Sequence, residues 1–309
     1  MATEPILAVL EVSAAQDRRI ASSNALFDYW ELTKPEINFL IAITAAAGFW
    51  IGSPAALPHF PWMAFLHALL GTVFVASGAA TLNQLTELRY DALMRRTARR
   101  PLTSGRIAPA QVLWFGVSLS VFGVVYLAVS TNALAALLAA LTLLSYLFLY
   151  TPLKRITPLC TLVGAVPGAA PPLIGWTAAC GHLDASAWVL FAIVFLWQFP
   201  HFMSIAWMYR EDYRRAGYLV LPAGEAKDRF VARQCLLPAL GLFLVAIVPA
   251  LRGQSGFAYF AGALVLGGVL LYYSARFALR RSVASARHLL LASIFYLPVL
   301  FALLALDKK

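Results

Sequence analysis

The stretch WMAFLHALLGTVFVASGAATLNQLTELRYDALMRRTARRPLTSGRI, Trp62 to Ile107, decides the architecture. It carries no Asp, Glu, Lys or Arg before Glu87. About 20 such residues are enough to cross a bilayer as a helix. The chain then turns abruptly charged, with Glu87, Arg89 and Asp91 followed by Arg95, Arg96, Arg99 and Arg100. Asn83, Glu87 and Asp91 stand four residues apart. On a helix they drift by only about 80° over two turns, so they share one face. Like charges at this spacing repel unless a cation lies between them. Two carboxylates and an amide oxygen are hard donors suited to Mg²⁺, an ion usually completed by waters and substrate phosphates. The arginines that follow offer forked donors for phosphate oxygens. The plainer alternative is an amphipathic helix end with Glu87, Arg89 and Asp91 paired on the surface. Against it, four arginines in six residues exceed what orientation requires, and polar groups at membrane depth mark function.

The rest of the chain extends this pattern. Of 309 residues, 61% are hydrophobic and only 12% are charged. The mean hydropathy is +0.76. Such a composition excludes a soluble globular enzyme and a disordered chain. Long apolar runs exclude a membrane β-barrel, whose strands alternate in short segments. Nine apolar stretches are expected as spans, at 37–52, 62–84, 109–129, 133–151, 157–178, 187–208, 230–250, 257–275 and 288–306. Pro109 suits a helix N-terminus. The chain therefore reads as an all-α integral membrane protein. A leading segment, 1–33, precedes a single nine-helix domain over 34–309.

Nine spans put the termini on opposite sides. The side holding the N-terminus then carries 21 of the 24 Lys and Arg residues, leaving Arg252, Lys308 and Lys309 outside. The positive-inside rule places that side in the cytoplasm. It also gives the net charge of +10 a source that needs no nucleic acid. Of the 14 acids, only Asp184 and Asp307 fall outside. Carboxylates contribute little to orientation, so inner acids in the long loops 85–108 and 209–229 locate chemistry at the inner mouth. Cys160, Cys180 and Cys235 suit neither a disulfide framework nor a cysteine metal site. Glu4, Glu11 and Asp17 fit neither a secretory signal nor a mitochondrial presequence. A bacterial inner membrane is the simplest home.

Two further constellations end spans on the inner side. The first is LWQFPHFMSIAWMYREDYRRAGYLVLP, Leu196 to Pro222. His201 and Asp212 would lie about 20° apart on a continuous helix. Pro200 can kink that helix. His201 fits a metal ligand, a haem ligand or an acid–base group, and equally a buried histidine donating to a neighbouring helix. Asp212 is a candidate for a metal or diphosphate site. The second is YTPLKRIT, Tyr150 to Thr157, where Lys154 and Arg155 stand at a depth suited to meet a diphosphate. GAVPGAAPPLIGW follows, Gly164 to Trp176. Gly164 and Gly168 form a small face for close packing. Pro167, Pro171 and Pro172 should break or kink the span, either for packing alone or to clear space for a large flat ligand.

At these residues the sequence resembles the membrane prenyltransferases of the UbiA superfamily, and within it the branch that farnesylates haem. The stretches that carry the likeness are Asn83 to Asp91, Met94 to Leu102, Tyr150 to Arg155, Gly168 to Trp176, His201-Phe202 and Arg210 to Gly217. Glu87 stands where many superfamily members have Asp. Met208 and Ala216 stand where a second repeated Asp is common, so the likeness carries no second full Mg²⁺ cluster. The resemblance implies a donor, farnesyl diphosphate, and an acceptor, haem b, which is a substrate and not a resident cofactor. Farnesyl C1 would join a porphyrin vinyl group, water would supply a hydroxyl, and haem O would form. The resemblance further implies Mg²⁺ at Asn83, Glu87 and Asp91, with Asp212 as a further catalytic residue. It assigns the diphosphate to Arg96, Arg100, Lys154, Arg155 and Arg214. It gives His201, Tyr150 and Trp207 to the haem, with Tyr146 also lining an apolar pocket. Haem A synthase or terminal-oxidase assembly would be downstream partners. The competing readings are a related enzyme acting on a quinone or other aromatic precursor, and a secondary transporter built on broken helices.

Overall fold

The computed structural model describes residues 24–54, 59–222, 224 and 226–309. Most of the expected 1–33 segment lies outside these residues. Within them the chain is helical, with one isolated bridge, Ser255 to Lys308, and no strand. Nine helices are long and apolar enough to span a membrane: Pro35–Gly52, Trp62–Asp91, Pro109–Ser130, Ala133–Leu153, Cys160–Cys180, Ala185–Met208, Ala226–Leu251, Phe257–Arg280 and Val283–Leu306. These are the first to ninth spans below. Each matches an expected stretch, with ends shifted by a few residues. The largest shift is at the second span. It runs on to Asp91, so Asn83, Glu87 and Asp91 do share one continuous helix.

The spans divide by burial. The fifth span is 67% buried and the sixth 56%, against 17–39% for the others. These two form the core, and the rest surround them with one face left for lipid. The fifth span is broken at Ala169 and Ala170, between Cys160–Gly168 and Pro171–Cys180. Pro171 lacks the N–H that an unbroken helix would use. The second half packs on the first span at backbone contact. A Cβ on Gly48 would collide with the Pro172 carbonyl, and one on Gly175 with the Ala45 carbonyl. In the first half, Gly164 lies against the Tyr150 ring and Gly168 against the Gln198 amide.

The fourth span ends in π-helical turns, Ser145–Tyr150, before Thr151–Leu153. Such turns mark functional positions in helices. A short helix, Ala25–Leu32, precedes the first span. It is tied to the second span by Gln84, whose Nε2 donates to the Leu32 carbonyl at 2.8 Å. Arg106 holds it to the second loop through Asp28 at 3.0 Å.

The two acids expected outside, Asp184 and Asp307, have structural work. Asp184 caps the sixth span, accepting from Ser186 N at 2.7 Å and Ala187 N at 3.1 Å. Asp307 accepts from Tyr259 N at 2.8 Å, at the start of the eighth span. Carboxylates at helix N-termini satisfy unpaired N–H groups and oppose the helix dipole.

Candidate active site

The C-terminal ends of the second and fourth spans meet the loops that follow the second and sixth. Leu219 N donates to the Lys154 carbonyl at 2.7 Å, which pins the sixth-span loop to the fourth span. Tyr90 and Tyr218 pack with ring centres 5.6 Å apart, and Tyr213 meets Tyr218 at 6.0 Å. Met94 and Ala216 are buried in the same cluster. The three constellations far apart in sequence thus converge on one mouth.

Each member of the Asn83–Glu87–Asp91 row faces a cation. Lys34 Nζ donates to Asn83 Oδ1 at 3.2 Å. Asn83 Nδ2 donates to Thr151 Oγ1 at 3.2 Å, which turns the amide oxygen toward Lys34. Lys154 Nζ donates to Glu87 Oε1 at 2.8 Å. Arg100 Nη1 donates to Asp91 Oδ2 at 2.6 Å. Asn83, Glu87 and Asp91 are buried, at 1%, 7% and 1% exposure. Unpaired carboxylates at such depth would be costly, and the three cations offset that cost.

Lys34 reaches this position through an unusual backbone. Its φ is 53° and ψ 65°, the left-handed region that non-glycine residues avoid. The turn lets Pro35 open the first span while the Lys34 side chain folds inward. Burial, with Arg100 adding to it, lowers the Lys34 ammonium to about 7. Lys154 differs. Burial works against its charge, but Tyr150 and Glu87 outweigh that and hold its value well above the usual lysine range. Tyr218 is raised by burial and by the Glu87 charge. Its hydroxyl is buried without a hydrogen-bond partner among the described residues. Lys154 and Arg155 also lie over aromatic faces, those of Tyr150 at 4.5 Å and Tyr90 at 4.8 Å. Arg155 donates to the Tyr90 hydroxyl.

Two cavities open from this mouth. One, of about 460 Å³, runs between the second, third and fourth spans. Leu82, Leu113, Val117 and Phe148 give it apolar walls, and Glu87, Arg155 and Tyr218 line its end at the mouth. The other, of about 490 Å³, is lined by Arg95, Arg96, Met208, Tyr209, Glu211 and Asp212. Among the described residues no three His, Cys, Asp or Glu side chains converge as a metal cluster. Two carboxylates and one amide oxygen on a single face do suit Mg²⁺, which leaves positions for phosphate and water.

A model of the UbiA prenyltransferase family matches residues 41–302. The chain belongs to the UbiA prenyltransferase family. Its relatives in that family include the protoheme IX farnesyltransferase of Solibacter usitatus (strain Ellin6076), 50% identical over 91% of this chain and 98% of that protein. The enzyme of the same name from Koribacter versatilis (strain Ellin345) is 45% identical over 93% of this chain and 94% of its own. Among solved structures, a digeranylgeranylglyceryl phosphate synthase has the same fold at a TM-score of 0.73. It is 17% identical and covers 92% of this chain and 99% of its own. A UbiA homolog from Archaeoglobus fulgidus bound to GPP and Mg²⁺ gives 0.62 at 14% identity, covering 90% and 99%.

Not every expected site residue of this UbiA-family chain joins the row. Arg96 lies over the Tyr209 ring at 5.1 Å, beside Asp212 in the second cavity. Asp212 is held by Arg215. Arg214 is largely exposed and paired with Glu211 at 3.1 Å. The continuous helix expected to align His201 with Asp212 does not form. The sixth span ends at Met208, and Tyr209, at φ −105° and ψ 19°, separates it from Arg210–Arg215. Arg210 Nη1 caps the break by donating to the Trp207 carbonyl at 2.8 Å. His201 instead meets Ser293 Oγ on the ninth span, Nδ1 to Oγ 2.8 Å, and stacks on Trp197. Sequence reasoning missed two site residues, Lys34 at the mouth of the first span and Tyr218. The signal for Lys34 was a cation directly before Pro35 and Glu36 at that mouth.

Proposed function

We propose that the protein transfers the farnesyl group of farnesyl diphosphate to a vinyl group of haem b, giving haem O and diphosphate. What carries the reading is the meeting of Glu87, Asp91, Asn83, Lys154, Arg100 and Lys34 at one inner mouth, beside an apolar groove. The names of the relatives supply the acceptor. The farnesyl chain lies in the groove between the second, third and fourth spans, with its diphosphate at the Glu87 end. Glu87, Asp91 and Asn83 would hold Mg²⁺, with Asp212 as a further acidic residue at the mouth. Bound there, Mg²⁺ neutralises diphosphate charge and makes it a better leaving group. Lys34, Lys154 and Arg100, which now face Asn83, Glu87 and Asp91, turn to the diphosphate oxygens and stabilise the charge that grows as the C1–O bond breaks. Arg155 and Arg96 extend this positive wall, while Arg214 reaches it only by leaving Glu211.

C1 then bonds to the terminal vinyl carbon. The cation left beside the ring takes hydroxide from water, and a proton is released. Tyr150 and Tyr146 face the allylic cation, and dry aromatic walls protect it. His201 and Trp207 contact the haem. The protein sits in the inner membrane of a bacterium, N-terminus inside, with this mouth on the cytoplasmic side. Its product passes to haem A synthase or to oxidase assembly.

Purified protein in detergent, given haem b, farnesyl diphosphate and Mg²⁺, should yield the farnesyl-plus-water adduct by mass. The adduct should vanish with EDTA and form about 10²–10³-fold more slowly in Asp91→Asn. Turnover of an aromatic ring acceptor in place of haem would overturn the acceptor.

A further inference from the structure

Trp207 closes the sixth span at the inner face, with its ring edge-on to Phe277 of the eighth span at 5.9 Å. Two cations from different elements lie over this one indole. The Arg210 guanidinium is 5.3 Å from the ring centre, and the Lys227 ammonium is also 5.3 Å away. Arg210 is fixed by its bond to the Trp207 carbonyl and keeps its other donors available. Among the described residues the nearby acids are engaged elsewhere: Glu211 with Arg214, Asp212 with Arg215, and Asp228 with Arg281. Among the described residues neither Arg210 nor Lys227 has a carboxylate partner. Arg276, one residue before Phe277, has a buried Nε with no acceptor among the described residues. Gathering two cations about one ring costs energy that an anion would relieve. The diphosphate site does not need them, since Lys34, Arg100 and Lys154 already stand there.

We infer that Arg210 and Lys227, held over Trp207, bind the two propionate carboxylates of the haem acceptor. The inference rests on the transfer to haem proposed above. Protohaem carries its propionates on one edge of the ring and its vinyl groups toward the other. The reacting vinyl must approach farnesyl C1, near Glu87 and Asp91 on the second span. The propionate edge is then directed toward the sixth to eighth spans, where this pair stands. A guanidinium fork grips one carboxylate, and an ammonium neutralises the other. Trp207 supplies a flat apolar floor beneath them. The pair therefore sets which end of the ring enters first, and selects against acceptors without paired carboxylates.

The test compares haem b with its dimethyl ester, in wild type and in Lys227→Met, Arg210→Gln and Lys227→Arg. Lys227→Met should raise KM for haem b about tenfold, the usual scale for losing a charged hydrogen bond. KM for farnesyl diphosphate should not move. Wild type should discriminate against the ester, and Lys227→Met should lose much of that discrimination. Lys227→Arg should restore it. Haem b titrated by its Soret band, without farnesyl diphosphate, should bind Lys227→Met more weakly than wild type. Unchanged KM and binding in both Lys227→Met and Arg210→Gln would overturn the inference, as would an equal ester penalty in wild type and variants. An effect seen only in nanodiscs containing phosphatidylglycerol, with haem kinetics unchanged, would assign the pair to a lipid headgroup and overturn it too. Failure of wild type itself to farnesylate haem b strikes the reaction, a distinct result.

Discussion

Lys34 joins backbone strain to charge. A left-handed lysine costs on the order of 1–3 kcal/mol, and burial lowers its ammonium to about 7. Strain of this kind persists where the surroundings over-determine it, and here they aim Nζ at Asn83. At about pH 8 Lys34 is then mostly neutral. A diphosphate raises its pKa again, because negative charge favours the ammonium. Farnesyl diphosphate binding at that pH should therefore take up a proton. Calorimetry in buffers of different ionisation enthalpy should detect the uptake in wild type and not in Lys34→Met. Equal uptake in both would remove Lys34 from the site. Asp91 makes the complementary case. Asp91→Asn keeps the shape but removes the charge, and should lower kcat about 10²–10³-fold, as loss of one preorganised electrostatic contact does. Single-turnover farnesyl transfer measures it.

At the scale of the element, glycines decide how closely helices cross. Gly175 and Gly48 put the fifth span on the first at backbone contact. Gly175→Val must separate the two helices, and it belongs with the overpacking changes that cost several kcal/mol. Gly268, in the eighth span, has open space where a Cβ would stand. Gly268→Ala should be neutral or slightly stabilising, since alanine favours a helix by about 1 kcal/mol over glycine. Thermal unfolding in detergent should separate the two, and equal midpoints would contradict the crossing. Elements of this kind were legible in the sequence to different degrees. The row of Asn83, Glu87 and Asp91 follows from helical period alone, because all three lie on one helix. The break near Pro171 follows from a missing N–H. The stop at Tyr209 does not, because it depends on Arg210 reaching back to the Trp207 carbonyl. The cation opposite each oxygen was equally hidden. Lys34 and Asn83 are 49 residues apart, and Lys154 and Glu87 are 67 apart, so only tertiary packing pairs them.

At the scale of the whole molecule, an odd number of spans separates the ends of the chain, and the ninth span closes against the first. Lys34 precedes the first span at the cation-rich mouth. Lys308 sits at its far end, donating to the Trp50 carbonyl at 2.7 Å and to Ser53 at 2.8 Å. Trp50 Nε1 returns a bond to the Ala305 carbonyl at 3.2 Å. Asp307, next in line, caps the eighth span. The last residues thus join the first, eighth and ninth spans at the end opposite the Asn83–Glu87–Asp91 mouth. Carbonyls at a helix C-terminus carry partial negative charge, and an ammonium placed there is stabilising. Burial lowers the Lys308 ammonium from its usual value, so part of that gain is offset. Lys308→Met should lower the thermal midpoint by a few degrees, equivalent to about 1 kcal/mol. It should leave KM for farnesyl diphosphate unchanged, because the clasp and the mouth lie at opposite ends of the bundle. Reporter fusions test the same geometry directly. Alkaline phosphatase fused after Lys309 should be active, and green fluorescent protein at the same place dark. The reverse pair would turn the bundle over and put the cation-rich mouth outside. That would require 21 of 24 basic residues to lie against the positive-inside rule.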